Sequence, residues 1–391
     1  MEKEAASTIL HRLESGYAVR PLSIIALKLI ELASDEDASI RDMVNLVEKD
    51  PSLAVRVLNL ANSVAFRGRE RIKTLQQAAV RLGAHHLKLM ALSISIRDAF
   101  PMGRVGPLDY EAFWRVSLYR ALMARSLADR SRVCDPDEAF LAGLTLEIGL
   151  LILFDLYVKG KNEEISLELQ PLETLLARER AHFGVDHRQI GKAALKFWKF
   201  PEKIIACQSC YGDAAERRDA PMPARICELS RVFSRLLYHD ASGELLAFFS
   251  EAQSLLKLRQ ETIQEIVLKT FQEVQETAAY LRLEVDKERD LMEIMEKANR
   301  ALGRISEKMS RLSKTSEQKD LPSFEALDGE ECSVQFTLQA VAHEIRNPLT
   351  AVGGFARRLA SALDSGSQAG KYAQVILAES LRLEKILSDM R

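Results

Sequence analysis

The chain has 391 residues, sets 54 Lys and Arg against 56 Asp and Glu, and is 47% hydrophobic. That length accommodates two or three domains with at least one substantial core, and the near-zero net charge excludes a global field for nucleic acid or anionic lipid. Only 6% of residues are aromatic and Pro and Gly are few, while Leu, Ala, Glu, Lys and Arg abound, so composition favours helix over strand.

The first segment, MEKEAASTIL, lacks a basic region leading into an apolar core and does not read as a secretory signal. PLSIIALKLIELASDE then places Ile24, Ile25, Leu27, Ile30 and Leu32 on a broad apolar face, with Pro21 and Ser23 near its start. ASIRDMVNLVEKD is a second amphipathic helix; Asp50-Pro51 ends it and opens a third, PSLAVRVLNLANS. The same periodicity continues through TLQQAAVRLG, HHLKLMALSIS, EAFWRVSLYRALMARSLAD, PDEAFLAGLTLEIGLLILFDLY, ETLLARERAHFG, HRQIGKAALKFW and PEKIIACQSCY. This describes an all-α domain without a credible strand run. Its most apolar stretch, residues 142 to 158, carries Glu147 and Asp155 and falls short of the ~20 apolar residues of a spanning helix. Five cysteines, an odd number over a long chain, fit a reducing compartment. The expectation is a cytoplasmic protein with neither a membrane nor a nucleic-acid partner.

After about residue 285 the pattern changes. Ala298, Leu302, Ile305, Met309 and Leu312 alternate in threes and fours, with Glu296, Arg300, Arg304, Lys308 and Arg311 outside the seam. This heptad predicts a parallel dimeric coiled coil; a single helix packed on its own domain is the other reading. KTSEQKDLPSFEALDGEE follows as a polar hinge. Two further helices close the chain. The first runs from about Phe336 to Leu363, with Ile345, Leu349, Val352, Ala356 and Leu359 in one stripe. After a turn at SGSQAG, the second shows Tyr372, Ile376, Leu383, Ile386 and Met390, interrupted by Glu379. Such narrow stripes are not buried by an isolated pair, and a homodimeric four-helix bundle would bury them. The predicted domains are therefore 1–285, 286–332 and 333–391.

The first closing helix holds AHEIRNPLTAVGGF. His343, Asn347 and Gly354 fall on one side, offset from the apolar stripe and expected to face solvent. Glu344 can take the ring's Nδ1 hydrogen, leaving the Nε2 lone pair as a nucleophile for a phosphoryl group. Pro348 lacks the amide that would bond to the Glu344 carbonyl, so the helix is weakened beside the histidine. The stretch resembles the H-box of the dimerisation and phosphoacceptor domain of sensor histidine kinases, and the resemblance extends from about Phe336 to Arg391. It implies autophosphorylation of His343 on Nε2, with Glu344 as general base, Asn347 as positioning residue and Pro348 as the helix bend. Transfer to a response regulator receiver domain would follow. The chain itself offers no ATP-binding domain: ALGRI and AVGGF are too short and too embedded in helix to be phosphate loops. No cofactor is expected in this chain, and ATP and Mg would act only through a catalytic domain supplied in cis or in trans. The ending ILSDMR, without a capping Gly or polar tail, favours a fragment of a longer kinase.

The N-terminal ~285 residues resemble the HD-related output domain, HDOD, whose relatives include metal-dependent phosphohydrolases. The stretches that carry this are KLIELASDEDASIRDMVNLVEKDPSLAVRVLNLANSVAF, TLQQAAVRLGAHHLKLMALS, AFLAGLTLEIGLLILF and RERAHFGVDHRQIGKAALKFWKFPEKI. Where the resemblance expects a metal-binding His-Asp pair, this chain has Leu146 and Glu147; where it expects an earlier histidine, Val116. A leucine and a valine cannot coordinate a cation, so the expectation is no metal and no phosphodiesterase activity. His187 reads as a hydrogen-bonded structural residue, and His85-His86 as a partly exposed surface pair. Cys207 and Cys210, with Cys227, read as buried small thiols rather than a zinc or redox site. Arg67, Arg69, Arg71 and Lys73 read as a solvated run. The reading is a two-component signalling protein in which a degenerate HDOD module senses or docks something; the alternative is a non-enzymatic dimeric scaffold.

Overall fold

Short polar residues decide where the helices begin. Ser39 accepts the Asp42 amide at the start of the helix Ile40–Val47, Asp50 the Leu53 amide of Pro51–Ala61, and Asp109 the Ala112 amide of Tyr110–Ser131. Thr74 with Gln77 and Asp186 with Gln189 form reciprocal capping boxes on the helices Leu75–Leu82 and His187–Phe197. Pro51 and Pro136 occupy the first turns of Pro51–Ala61 and Pro136–Thr145, where a missing N–H is harmless. Each cap satisfies a donor that the first turn leaves without a helical partner.

A computed structural model describes residues 22–34, 39–62, 70–157, 172–209, 220–235, 244–285, 290 and 352–389. In chain order the helices are α1 (Ile24–Ser34), α2 (Ile40–Val47), α3 (Pro51–Ala61), α4 (Leu75–Leu82), α5 (Ala84–Asp98), α6 (Tyr110–Ser131), α7 (Pro136–Thr145), α8 (Ile148–Tyr157), α9 (Leu172–Phe183), α10 (His187–Phe197), α11 (Glu202–Cys207), α12 (Met222–Arg235), α13 (Glu244–Leu256) and α14 (Gln260–Leu281). They are followed by α15 over 352–362 and α16 (Gln368–Asp389). Strand structure among the described residues amounts to one hairpin, β1 (Arg104–Val105) against β2 (Leu108–Asp109). The protein is all-α, as composition predicts. The heptad run at 298–312 lies outside the described residues.

The chain forms two compact units, residues 1–238 with 269–286, and residues 239–268 with 287–391. In the first, α1 packs on α5, α2 and α3 meet α4 and α5, and α6 lies against α7 and α12. Trp114, Tyr110, Tyr119, Phe140 and Phe154 are fully buried around them, each worth roughly 1.5–3 kcal/mol of burial. The apolar run expected as one helix is two: a turn at 146–147 separates α7 from α8. Pro136–Tyr157 is long and apolar enough to cross a membrane by composition, contrary to the count above, but 89% of its most apolar window is buried inside the protein.

That turn sends α8 across α10, where backbone meets backbone. A Cβ on Gly149 would collide with the His187 carbonyl oxygen and lie 2.7 Å from the Gly191 amide nitrogen. Neither obstacle is a flexible side chain. Gly149→Ala is therefore expected to lower unfolding free energy by about 3 kcal/mol or more, read as a fall in the urea midpoint; an unchanged midpoint would refute the close crossing.

Candidate functional site

The H-box residues His343, Glu344, Asn347 and Pro348 lie outside the described residues, which take up the hairpin at residue 352. α15 buries Val352, Phe355, Ala356 and Leu359, and α16 buries Ala369, Ala373, Ile376 and Ser380. The expected stripe is buried at Val352, Ala356 and Leu359 of α15 and at Ile376 of α16, whereas Tyr372 is only half-buried and Ala373 beside it is buried. Between the helices, Asp364 Oδ1 accepts the Gly366 amide at 3.1 Å, and Ser367 Oγ accepts the Gly370 amide at 3.0 Å. Ser367 thus caps α16. Gly354 does not face solvent as expected: a Cβ there would meet the Gln264 side chain.

In the first unit the polar residues converge on Glu147, in the turn between α7 and α8. Its Oε2 accepts Arg120 Nη1 of α6 at 3.0 Å, and its Oε1 accepts Arg231 Nε of α12. Arg188 of α10 stands 3.7 Å from Oε1 and places Nη2 2.9 Å from Glu228 Oε1. Arg120 is also held by the Gly143 carbonyl at 2.6 Å and Ser117 Oγ at 2.9 Å. Burial alone would raise the Glu147 pKa, but Arg231, Arg120 and Arg188 outweigh it and hold the carboxyl far below the usual range. Glu228 goes the other way, since burial outweighs its arginines and raises it.

The resemblance to metal-dependent hydrolases can be tested on this donor set. Leu146 and Val116 are buried and offer no ligand atom, and both Glu147 oxygens already serve guanidinium groups. Three cations on side chains stand where a metal ion would need free carboxylate, so the residues do not fit a dinuclear centre. His187 is fully buried, and one oxygen of Glu179 accepts both its backbone N–H at 2.8 Å and its Nδ1 at 2.7 Å. A ring that donates from Nδ1 leaves Nε2 unprotonated in the neutral form, and Nε2 has no hydrogen-bond partner among the described residues.

Histidines 85 and 86 differ from the expected surface pair. His85 is exposed and pairs with Asp135 at 3.2 Å, but His86 is buried and its Nδ1 lies 2.7 Å from Asp137 Oδ1. His85, Asp135 and Asp137 bring three donor atoms within 4.8 Å. Asp135 Oδ1 is engaged by the Asp137 and Glu138 amides, and Asp137 by His86 and by Arg125 at 3.4 Å, so helix capping and ion pairing account for the group. Cys207 and Cys227 are buried and Cys134 half-buried; Cys210 lies outside the described residues. A hydrogen bond to Cys207 and burial raise the Cys227 thiol, and burial lifts Cys134 to about 11, which makes both poor nucleophiles.

Comparison with known proteins accounts for both halves. Residues 20–213 match the HDOD domain family, and residues 334–391 match the His Kinase A (phospho-acceptor) domain, HisKA. The chain joins an HDOD domain to a HisKA domain. YuxH of Bacillus subtilis (strain 168), an uncharacterised protein, is 27% identical over 158 residues, 40% of this chain and 36% of YuxH. The sensor histidine kinase ZraS of Escherichia coli (strain K12) is 42% identical over 50 residues, 13% of this chain and 11% of ZraS. The chain thus spans well under half the length of the curated relatives it matches. Two solved structures share the fold of the HDOD side. One, from Shewanella amazonensis SB2B and described as a candidate phosphohydrolase, has a TM-score of 0.55 at 20% identity, covering 70% of this chain and 97% of that one. The other, an HDOD domain protein of unknown function from Geobacter sulfurreducens, has a TM-score of 0.50 at 22% identity, covering 71% and 97%.

Sequence reasoning missed Arg120, Arg188, Arg231 and Glu228. The available signal was Glu147 itself, because a carboxylate inside the most apolar run demands buried counter-charges. Glu147→Gln removes the shared partner of three guanidinium groups and is expected to cost about 3–5 kcal/mol in denaturant unfolding. The sign with pH follows from the depressed folded pKa. Glu147 titrates near 4.3 in the unfolded chain, so its contribution is complete above about pH 4.3 and drains away as pH falls toward the folded value. The Gln variant should therefore lose part of the acid slope that wild type shows below about pH 4.3; equal slopes would refute the assignment.

Proposed function

We propose that this chain is the sensing and phosphoacceptor part of a cytoplasmic two-component histidine kinase. The observation that carries the reading is the HisKA match over residues 334–391, which contains the full His343-Glu344-x-x-Asn347-Pro348 sequence and is continued by the hairpin of α15 and α16. The 42% identity to ZraS over 50 residues supports it. His343 attacks through Nε2, forming a bond to the γ-phosphorus of ATP while the bond from that phosphorus to the bridging oxygen breaks and ADP leaves. Glu344 holds the Nδ1 proton and offsets the developing imidazolium charge. Asn347 positions the ring, and Pro348 frees the helix to bend beside it. ATP and its Mg reach His343 on a nucleotide-binding domain acting in cis or in trans, and a response regulator receiver domain takes the phosphoryl group onward. The protein acts as a homodimer through the hairpin.

The HDOD domain acts as a sensing or docking module and not as a phosphodiesterase. The support is the donor set: Val116 and Leu146 in the places of ligands and Glu147 committed to arginines.

Two measurements test this. With a histidine-kinase ATP-binding domain supplied, radiolabel from γ-labelled ATP should enter the wild-type chain in an acid-labile, base-stable form and be absent from His343→Gln. Equal labelling of the two would leave the dimeric scaffold as the better reading. The purified chain should also carry no stoichiometric manganese or iron and turn over no cyclic dinucleotide; tight metal at one or two equivalents would overturn the HDOD assignment.

A further inference from the structure

One cation of the first unit is buried without a full set of partners. Arg97, in the last turn of α5, is 3% exposed. Its Nη1 reaches Asp98 Oδ1 only at 3.5 Å, and its Nε and Nη2 have no hydrogen-bond partner among the described residues. Asp98 is already committed, because Arg56 of α3 engages both its oxygens: Nη1 donates to Oδ1 at 3.2 Å and Nη2 to Oδ2. A third guanidinium completes the group. α14 ends at Leu281, and Arg282 just beyond it donates from Nη2 to Ser52 Oγ at 3.0 Å. Ser52 precedes Arg56 on α3 by four residues, about one helical turn. The charges acting on Arg97 are those of Asp98, Arg56, Arg282 and Glu111, so three guanidinium groups face two carboxylates. Burial lowers the Arg97 pKa, and Asp98 offsets this only in part.

We propose that Arg56, Arg97 and Arg282 form a binding site for an oxyanion, a carboxylate or phosphate group carried by a small molecule, with Arg97 as its bidentate anchor. The two atoms of Arg97 without partners are the ones recognition needs. Nε–H and the Nη2–H beside it point the same way from one edge of the guanidinium, the fork that takes two oxygens of a carboxylate or phosphate in parallel. Charged N–H groups left unsatisfied in the interior are costly, and an anion on this edge removes that cost and the surplus positive charge together. The depth of Arg97 admits a slim group and not a protein surface. Asp98 and Arg282 are exposed and give the group its solvent side. The bond from Arg282 to Ser52 is itself exposed, so the Arg282 side chain turns onto an anion at little cost. The site lies in the domain read above as a sensor and gives that reading a ligand class. Binding is measured on the chain itself without nucleotide, so its failure leaves the phosphoacceptor reading untouched.

Scanning calorimetry of the full chain tests the site, with inorganic phosphate or acetate exchanged for chloride at constant ionic strength. At about 10 mM, tenfold above a millimolar dissociation constant, the bound anion should raise Tm by about 4 °C over chloride. Arg97→Met, which replaces an unsatisfied buried charge with an apolar chain of similar length, should abolish the response. Arg282→Gln, an exposed change, should cut it by half or more. Lys203→Gln removes a charge from an exposed side chain of α11 and should respond as wild type does. A response to phosphate alone identifies a phosphate group, one to acetate alone a carboxylate, and one to both the shared oxyanion chemistry; each supports the site if Arg97→Met has lost it. Equal Tm of wild type in all three anions overturns the proposal. So does a response of the same size in Arg97→Met and in Lys203→Gln, because the anion then binds elsewhere. If Arg97→Met does not fold, Arg282→Gln decides, and a full wild-type response in that variant overturns the site.

Discussion

A carboxylate with no access to water cannot stay ionised unless the protein surrounds it with charge, and Glu147 is such a group. Its 1% exposure would by itself cost several kcal/mol; three guanidinium groups make the ionised form the favoured one. Those guanidinium groups come from α6, α10 and α12, and Glu147 sits in the turn joining α7 to α8. One anion therefore fixes the mutual placement of five helices. The near-contact of α8 with α10 at Gly149 and Gly191 belongs to the same arrangement, since Arg188 can reach this centre only if α10 lies close against α8. A buried ion cluster is a poor source of net stability compared with an apolar substitute, but it is intolerant of misplacement. It specifies which helix goes where.

The hairpin is organised by a different rule. Its buried face sets small residues, Ala356, Ala369, Ala373 and Ser380, among the larger Val352, Phe355, Leu359 and Ile376. Small residues let helix axes approach: a Cβ on Gly353 would meet the Ser380 side chain, and one on Gly354 the flexible end of Gln264. Packing of this kind is set by steric fit with little charge involved. Where charge does enter, at Arg358, it lies at the rim and is shared with water. The two compact units thus differ in how a perturbation would spread: the first resists local change around a single anion, and the second yields at its polar edge.

The start of α3 was legible because its determinant, Asp50-Pro51, is local; the caps at Ser39, Thr74 with Gln77 and Asp135 are of the same short range. The apolar stripe of α15 was legible for the same reason. The arginine centre was not. Arg120 lies among Arg115 and Arg125 in a helix whose polar residues all look alike in sequence, and only tertiary packing separates the buried one from the others. The histidine pair shows the limit of a correct local argument: His85 and His86 do diverge on their helix, yet Asp135 and Asp137, two residues apart on the first turn of α7, are spaced to meet both. The split between α7 and α8 went unread because an apolar run carries no periodicity to mark a turn. The glycine pair of AVGGF lies within a helix, as read, but its use as a close-packing surface depends on partners distant in sequence.

The charge balance at Glu147 has one more property, which concerns supply. A carboxylate cluster neutralised by a dissociable ion depends on the concentration of that ion around the protein, and it can be emptied by any tighter competitor. Here the neutralising charges are peptide-bonded to the same chain and arrive in fixed stoichiometry with every copy made. Guanidinium groups also keep their charge at any pH a cell reaches. The interior of this domain is therefore buffered against fluctuations in its ionic surroundings.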